Sequence, residues 1–581
     1  MKKSILTLIA GAVFALAAVV GAAHAQQSPP GMSGHPRETP SVNRGGDGPA
    51  ASPFEVTLAA LPQISAAEVA LRPAAPPLGT GVSAAEFAQR KMAADYQSQM
   101  AAGTAGETAP PRAVGAGGAK VPPATGFSAL KHGCAGTSFV PPDQGLAVNQ
   151  TYVFEMVNAC VAVYDKVGAM QAGFPKSLNA FFGLGASAFT YDPRAIYDWA
   201  NNRFIAIATR SGSSIKPQIL LAVSQTNNPL GGWNIYKFNG PAETLTGELT
   251  DFPQLGQDRS AVYISFNRFT AGLSFVDARL MIIPKSKLYA GLSTGYFWFF
   301  NFNVGGTQVD TVEPANEFSP SDHPRAEFLL NSYNIKFGGG QCSTACNGLV
   351  VWAISNPLAT SASGPEASGV TVATANDYRL PPNASQPACS NCIQTNDVRI
   401  SGGVTYHAGS LFGSLNTASG SASGSHVLWF EVKPVLNDNG STCGSTNLCP
   451  DITDAEVVNE DCYLCGASGD WYYATLQPDL ENNVAMVFNY SDTTHAPSLA
   501  YTGRRATYGV NLMHDAGIYL VNPVASYTLG SSPRRWGDYS ATAPDLSSAA
   551  SQVWFAGEYS NAAGVWRTVV GHNSFNKIAY P

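Results

Sequence analysis

Arg535-Trp536-Gly537-Asp538-Tyr539-Ser540 leads into Val553-Trp554-Phe555-Ala556-Gly557-Glu558-Tyr559 and then Trp566-Arg567-Thr568-Val569-Val570. An Asp at a turn is followed by short apolar runs of strand length, rich in aromatic and β-branched residues. The same unit recurs upstream in degenerate form. It opens at Asp143, Asp192, Asp251, Asp322, Asp397 and Asp470, with gaps of 49, 59, 71, 75, 73 and, to Asp538, 68 residues. Repeats of this size built from short strands point to propeller blades. The expected fold is therefore all-β, a β-propeller of seven blades over residues 126–581, preceded by a flexible N-terminal extension.

Composition agrees. Charged residues make up 13% of the 581-residue chain, about half the roughly 25% of ordinary soluble domains. The 57 Gly and 39 Pro suit many turns rather than long helices. A net charge of -7 offers no basic field, which argues against a nucleic-acid partner.

Residues 1–25 read as a secretory signal: Lys2 and Lys3, an apolar run from Ile5 to Val20, then Ala23-His24-Ala25 as a cleavage site. No later run of 18 apolar residues is present, so no membrane span is expected. The product is expected to be secreted, or periplasmic in a Gram-negative source, and monomeric. Ten cysteines fit an oxidising compartment. Cys134 and Cys160 stand apart. Cys342/Cys346, Cys389/Cys392, Cys443/Cys449 and Cys462/Cys465 are close pairs read as local disulfides. Zinc on the two C-x-x-C pairs is the alternative, although their separation far exceeds that of a zinc ribbon.

Residues 26–125, rich in Ala, Pro, Gly and Ser, read as a low-complexity extension or pro-segment. Ala84 to Met100 has helical periodicity within it. The second blade is the plainest: Asp192 to Asp198, Arg203 to Ala208, Ile219 to Ser224 and Gly232 to Phe238 give four strands. Closing a ring requires the last blade to borrow a strand from before Asp143, around Gly126 to Phe139.

The run Pro141-Pro142-Asp143 through Ala162-Val163-Tyr164-Asp165-Lys166, with Asp192-Pro193-Arg194 and Arg535-Trp536-Gly537-Asp538-Tyr539-Ser540, resembles a family of secreted bacterial β-propeller proteins. The resemblance implies the architecture and no activity. Sialidase-like propellers are a fold analogy only, and their Ser-x-Asp-x-Gly-x-x-Trp box is not evident here.

If the blade-opening acids line one mouth of a central channel, carboxylates and guanidiniums there can grip sugar hydroxyls or a substrate carboxylate. Candidate catalytic acids are Asp143, Asp322, Asp538 and Glu558, with Asp251 and Asp470 as further members. Candidate ligand-binding residues are Arg194, Arg325, Arg399, Arg535, His323, Trp471, Tyr472, Trp536 and Tyr539. A glycosidase or lyase would need two of the acids in reach of one bond. A non-catalytic binding or adhesion propeller would use the same residues as ligand contacts alone. Asp at a strand start also serves as an ordinary turn residue. No His-x-His or His-Glu-x-x-His pair is present, so no catalytic metal or other cofactor is expected. A structural calcium on loop oxygens fits the sequence better than a catalytic metal does. Gly291-Leu292-Ser293-Thr294-Gly295 precedes an aromatic strand rather than a helix, so it reads as a turn, not a nucleophile elbow.

Overall fold

The computed structural model describes residues 39–63, 83–104, 124–134, 139–241, 243–333, 345–359, 364–418, 424–437, 441–443, 447–465, 467–514, 518–547 and 552–575. The signal segment lies outside them.

The chain is mostly β. Among the described residues most strands fall into antiparallel meanders of four, several of them joined into one larger sheet. The first is Gly145–Val148, Tyr152–Val157, Cys160–Asp165 and Lys176–Ser177. The second is Phe189–Asp198, Arg203–Ser211, Gln218–Ser224 and Gly232–Asn239. Leu249–Gln257, Ala261–Phe269, Phe275–Pro284 and Phe297–Val304 form the third. Glu313–Glu317, Glu327–Ser332, Cys346–Ser355 and Glu366–Tyr378 form the fourth. The fifth is Val404–His407, Ser410–Ala418, Ser425–Leu436 and Ile452–Tyr463. The sixth is Asp470–Pro478, Val484–Ser491, Ser498–Arg504 and Ile518–Tyr519. The seventh is Ala541–Asp545, Gln552–Ser560 and Trp566–Asn573, completed by Thr125–Lys131 from the N-terminal side.

The first strands of successive units pack on one another in a cycle that returns from the seventh unit to the first. Two of these contacts are parallel strand pairs, Gln257 with Asn316 and Ala315–Glu317 with Val404–Tyr406. The seam between the seventh and first units carries a clasp: Cys134, just past the borrowed strand, is disulfide-bonded to Cys160 at the start of the first unit's third strand.

Inner and middle strands are buried on both faces, so they read as near-continuous apolar runs rather than alternating ones. Arg203–Ser211 and Ala261–Phe269 are of this kind. Flat rings fill the gaps between units. Phe154, Phe204 and Trp233 lie between the first and second units. Phe302 meets Trp352 edge-on between the third and fourth. Tyr501 stacks on Phe555 at 5.4 Å between the sixth and seventh. Aromatic rings suit this place because each covers a large area with few rotatable bonds.

The extension departs from the flexible reading. Phe54–Thr57 adds a fifth strand to the second unit, and Pro40–Asp47 adds one to the third. Its Gly-rich composition serves close packing: a Cβ on Gly45 would sit 2.2 Å from the Trp298 ring. Ala84–Thr104 is helical. Among the described residues no helix is long and apolar enough to cross a membrane.

Cys389–Cys392 and Cys462–Cys465 are disulfides, which removes the thiolates that zinc would need. Cys346 is also disulfide-bonded. Cys342 and the side chains of Cys443 and Cys449 lie outside the described residues.

Candidate functional site

Several first strands open through a local irregularity. The register slips between Tyr191 and Arg194, between Asp251 and Gln254, and between Tyr472 and Thr475. At the same place in six units a residue takes a left-handed conformation: Asp143, Asp192, Phe252, Thr311, Asn396 and Tyr473, with φ between 48° and 54°. A bulge of this kind leaves a backbone N–H unpaired. A polar side chain of a neighbouring unit takes up that N–H in several units. Asp192 N–H donates to Asn158 Oδ1 at 2.7 Å, Phe252 N–H to Asp192 Oδ2 at 3.1 Å, and Thr311 N–H to Asn267 Oδ1 at 2.8 Å. Tyr473 N–H donates to Asn416 Oδ1 at 2.8 Å. At the seam, Asp538 N–H donates to Asp143 Oδ1 at 2.9 Å. Asp143 and Asp192 thus tie one unit to another.

Three guanidiniums share this end of the ring with the acids. Arg535 grips Asp538 through both terminal nitrogens, and Asn396 Nδ2 donates to the same carboxylate at 2.5 Å. Arg399 makes a second fork with Asp397, Nε to Oδ1 and Nη2 to Oδ2, each 2.8 Å. Arg194 lies 3.3 Å over the Tyr539 ring and donates to the carbonyls of Pro253 and Ser401. Arg194 and Arg399 flank the Phe252 ring at 5.5 and 4.8 Å. Planar guanidinium suits both the fork and the ring face.

Burial sets the charge of the acids. Asp143 is pushed well up by burial and then by the neighbouring Asp538 and Asp192. Asp192 is pushed well up by burial and by Asp251. Glu558 is pushed well up by burial and by Asp538. Asp251 rises to about 6 from burial, held back by Arg399. Glu313 rises to about 8 from burial, against Arg194. Burial also acts on Asp397, but the Arg399 fork outweighs it and leaves that carboxyl below its ordinary value. Burial thus disfavours the charged form of Asp143, Asp192, Asp251, Glu313 and Glu558, which sit beside the guanidinium–carboxylate pairs.

The sequence candidates divide. Asp143, Asp538, Glu558, Arg194, Arg399 and Arg535 come together here, with Asp192, Asp251 and Asp397. Glu558 lies on Gln552–Ser560, and Gly537 gives it room: a Cβ there would be 2.0 Å from Glu558 Oε1. Tyr539 is present but buried, its hydroxyl donating to Pro193 O at 3.2 Å. Trp471, Tyr472 and Trp536 are buried too, so they offer no flat surface to a ligand. Trp471 packs on His426 and Tyr490, and Trp536 on Tyr527. Asp470 accepts the N–H groups of Ser385 and Ser425, both at 2.8 Å, and burial lifts it to about 7.

Asp322 does not open a unit. It follows the fourth unit's first strand, at that strand's far end, 2.7 Å from His407 Nδ1 and accepting from Ala408 N–H. His323 and Arg325 are exposed on the same loop. The fourth unit opens instead at Asp310-Thr311. That pair lies 59 residues after Asp251, the interval that separates Asp192 from Asp251. Glu313, Asn158 and Asn396 also belong to the site and went unread. A calcium site needs several oxygens on one point. Among the described residues no group of three His, Cys, Asp or Glu side chains could hold a metal ion.

No family model matches the chain, and no curated protein does. Similar solved structures include three carbohydrate-acting enzymes. A thermostable family-43 glycoside hydrolase is 9% identical, covering 80% of this chain and 96% of its own, with a TM-score of 0.26. An exo-β-1,3-galactanase from Phanerochaete chrysosporium is 12% identical over 78% of this chain and 97% of its own, at 0.27. The Trypanosoma rangeli sialidase is 9% identical over 79% of this chain and 60% of its own, at 0.31. Likeness at this level bears on neither substrate nor mechanism.

Proposed function

We propose that the chain is an exported, monomeric, seven-bladed β-propeller that binds a carbohydrate where the acids and guanidiniums gather at one end of its ring. The cycle of first-strand contacts supports the ring, and the disulfides suit an oxidising compartment. The observation that carries the ligand reading is the Arg535–Asp538 fork. The Arg535 side chain keeps 18% exposure, against 7% for Asp538 and 2% for Arg399. It places a partly exposed donor beside a carboxylate acceptor. Sugar hydroxyls demand that alternation of donors and acceptors.

Binding without cleavage is the better fit. Cleavage requires two carboxyl groups that both reach the scissile bond. Asp143 is fully buried and occupied, one oxygen by Asp538 N–H and the other by Asn158 Nδ2 at 2.7 Å. Glu558 is 1% exposed. The test is a glycan array probed with the mature protein, paired with reducing-end and unsaturated-product assays on each bound glycan. Retention without turnover supports the reading. Turnover would replace it with an enzyme, and an array with no retained glycan would remove the carbohydrate.

A further inference from the structure

A different set of charges collects where the first strands end. Asp198 ends the second unit's first strand, Phe189–Asp198, and Asp258 follows the third unit's, Leu249–Gln257. Glu317 ends the fourth unit's, Glu313–Glu317. At about 3.3 Å per residue it lies about 13 Å along the strand from Glu313, which belongs to the acid and guanidinium end. Gln257 pairs with Asn316, so the third and fourth strands finish beside one another. Asp198, Asp258 and Glu317, with Arg259, Lys285 and Ser319, line a cleft open to solvent. The cleft spans about 240 Å³ with its mouth, of which about 10 Å³ is space for the centre of a water-sized group.

Most of the buried charges here are satisfied. Lys285 Nζ donates to Asp198 Oδ2 at 2.7 Å and to Gln257 Oε1 at 2.9 Å. Asp258 Oδ1 accepts the N–H groups of Ser260 and Ala261, both at 2.7 Å, and its Oδ2 accepts from the Tyr263 hydroxyl at 2.8 Å. Asp322 is taken by His407. Glu317 is the exception. It is 8% exposed and lines the cleft, yet its carboxyl meets no hydrogen-bond donor among the described residues. Glu327 behind it is 2% exposed, with Oε1 buried and unpartnered. With Asp198 neutralised by Lys285, the acids Asp258, Glu317 and Glu327 face one further cation of the lining, the exposed Arg259. The local charge balance is therefore negative. Burial, then Asp258, lifts Glu317 to about 8; Asp322 adds to the rise, and Lys285 and Arg259 hold it back. Tyr263 and Tyr406 are the neutral titratable groups within reach of its charge.

We propose that this cleft is a second binding site, for a primary ammonium group, with Glu317 as its carboxylate partner. An ammonium head is about the size of water and fits the space at the cleft's narrow part. It also supplies the charge and the donors that Glu317 lacks. A metal ion does not fit, because no three acid, His or Cys side chains of the described residues converge on one point. A quaternary ammonium is too large and donates no hydrogen bond. The site does not depend on the carbohydrate reading.

The test is calorimetric titration of the full mature protein with methylammonium chloride at pH 7. Tetramethylammonium chloride and sodium chloride at equal ionic strength are the controls. Methylammonium alone should bind. Up to one proton should leave as Glu317 takes up its charge, so the heat should scale with the buffer's ionisation enthalpy. Glu317→Gln, checked by melting curve, should weaken binding about tenfold or more and abolish the buffer dependence. Arg259→Gln removes an exposed charge at the mouth and should tighten binding about threefold. That variant decides the matter if Glu317→Gln does not fold. Absence of methylammonium binding, equal binding of either control ion, undiminished affinity in folded Glu317→Gln, or unchanged affinity in Arg259→Gln would overturn the site.

Discussion

Glu313→Gln is the substitution in which stability and pH combine most sharply. Glu313 lies on the fourth unit's first strand with its side chain fully buried. Arg194, the Gly403 backbone and Arg399 offset only part of the cost of charging it, and its pKa moves from 4.5 to about 8. The sign follows from proton counting. Between those two values the folded protein holds a proton that the unfolded chain has released, so stability falls as pH rises from 4.5 towards 8. At about 1.36 kcal/mol per pH unit, the cost at pH 8 approaches about 4 kcal/mol. Gln has the same shape and does not ionise. Wild type and variant should agree within about 1 kcal/mol at pH 5, and the variant should be more stable at pH 8. An unfolding entropy of about 2.1 cal/mol/K per residue over a folded region of roughly 450 residues converts that difference to about 4 °C. Calorimetry of both proteins at pH 5 and pH 8 reads it directly. Equal melting temperatures at pH 8, or a less stable variant there, would show that Glu313 is charged in the folded protein.

Three other substitutions test the way the ring is tied. Asn158→Ala removes the acceptor of the Asp192 N–H and the donor to Asp143 and to Pro141 O; at about 1–3 kcal/mol for each buried group left unpaired, denaturant melts should show a loss of about 3 kcal/mol. Cys134→Ser with Cys160→Ser opens a clasp between residues 26 apart in sequence, for which chain entropy gives about 3.5 kcal/mol; an unchanged denaturation midpoint would deny the seam its role. Arg399→Lys keeps the charge but cannot form the fork on Asp397, and a loss of about 2 kcal/mol is expected from denaturant titration at pH 7.

The fold was legible where one unit resembles the next. Asp143, Asp192, Asp251 and Asp538 marked true unit starts because an Asp at a bulge is local chemistry, visible in a short stretch. The fourth unit was misread because Ser321-Asp322-His323-Pro324-Arg325 has the look of a start, while Asp310-Thr311 keeps the spacing without an Arg beside it. The latch residues Asn158, Asn267 and Asn416 were not legible, since each acts on a backbone 34, 44 or 57 residues away. The aromatic neighbours Trp471 and Trp536 were misplaced for a related reason. Flat rings beside the markers fill the layers between units, and sequence does not distinguish that use from a ligand platform. The extension was misjudged by composition. Gly45 permits contact with Trp298, and Lys91 has the look of a solvent-facing helix residue until its three acceptors, Pro381 O, Thr395 Oγ1 and Asn396 O, are seen.

The most direct measurement is calorimetric titration of a glycan retained on the array into the mature protein and into Arg535→Lys, with melting curves to confirm that both are folded. Arg535 is the partly exposed donor, and lysine keeps its charge without its fork, so affinity should fall by about tenfold or more. Unchanged affinity in a folded variant would place the ligand elsewhere and contradict the site.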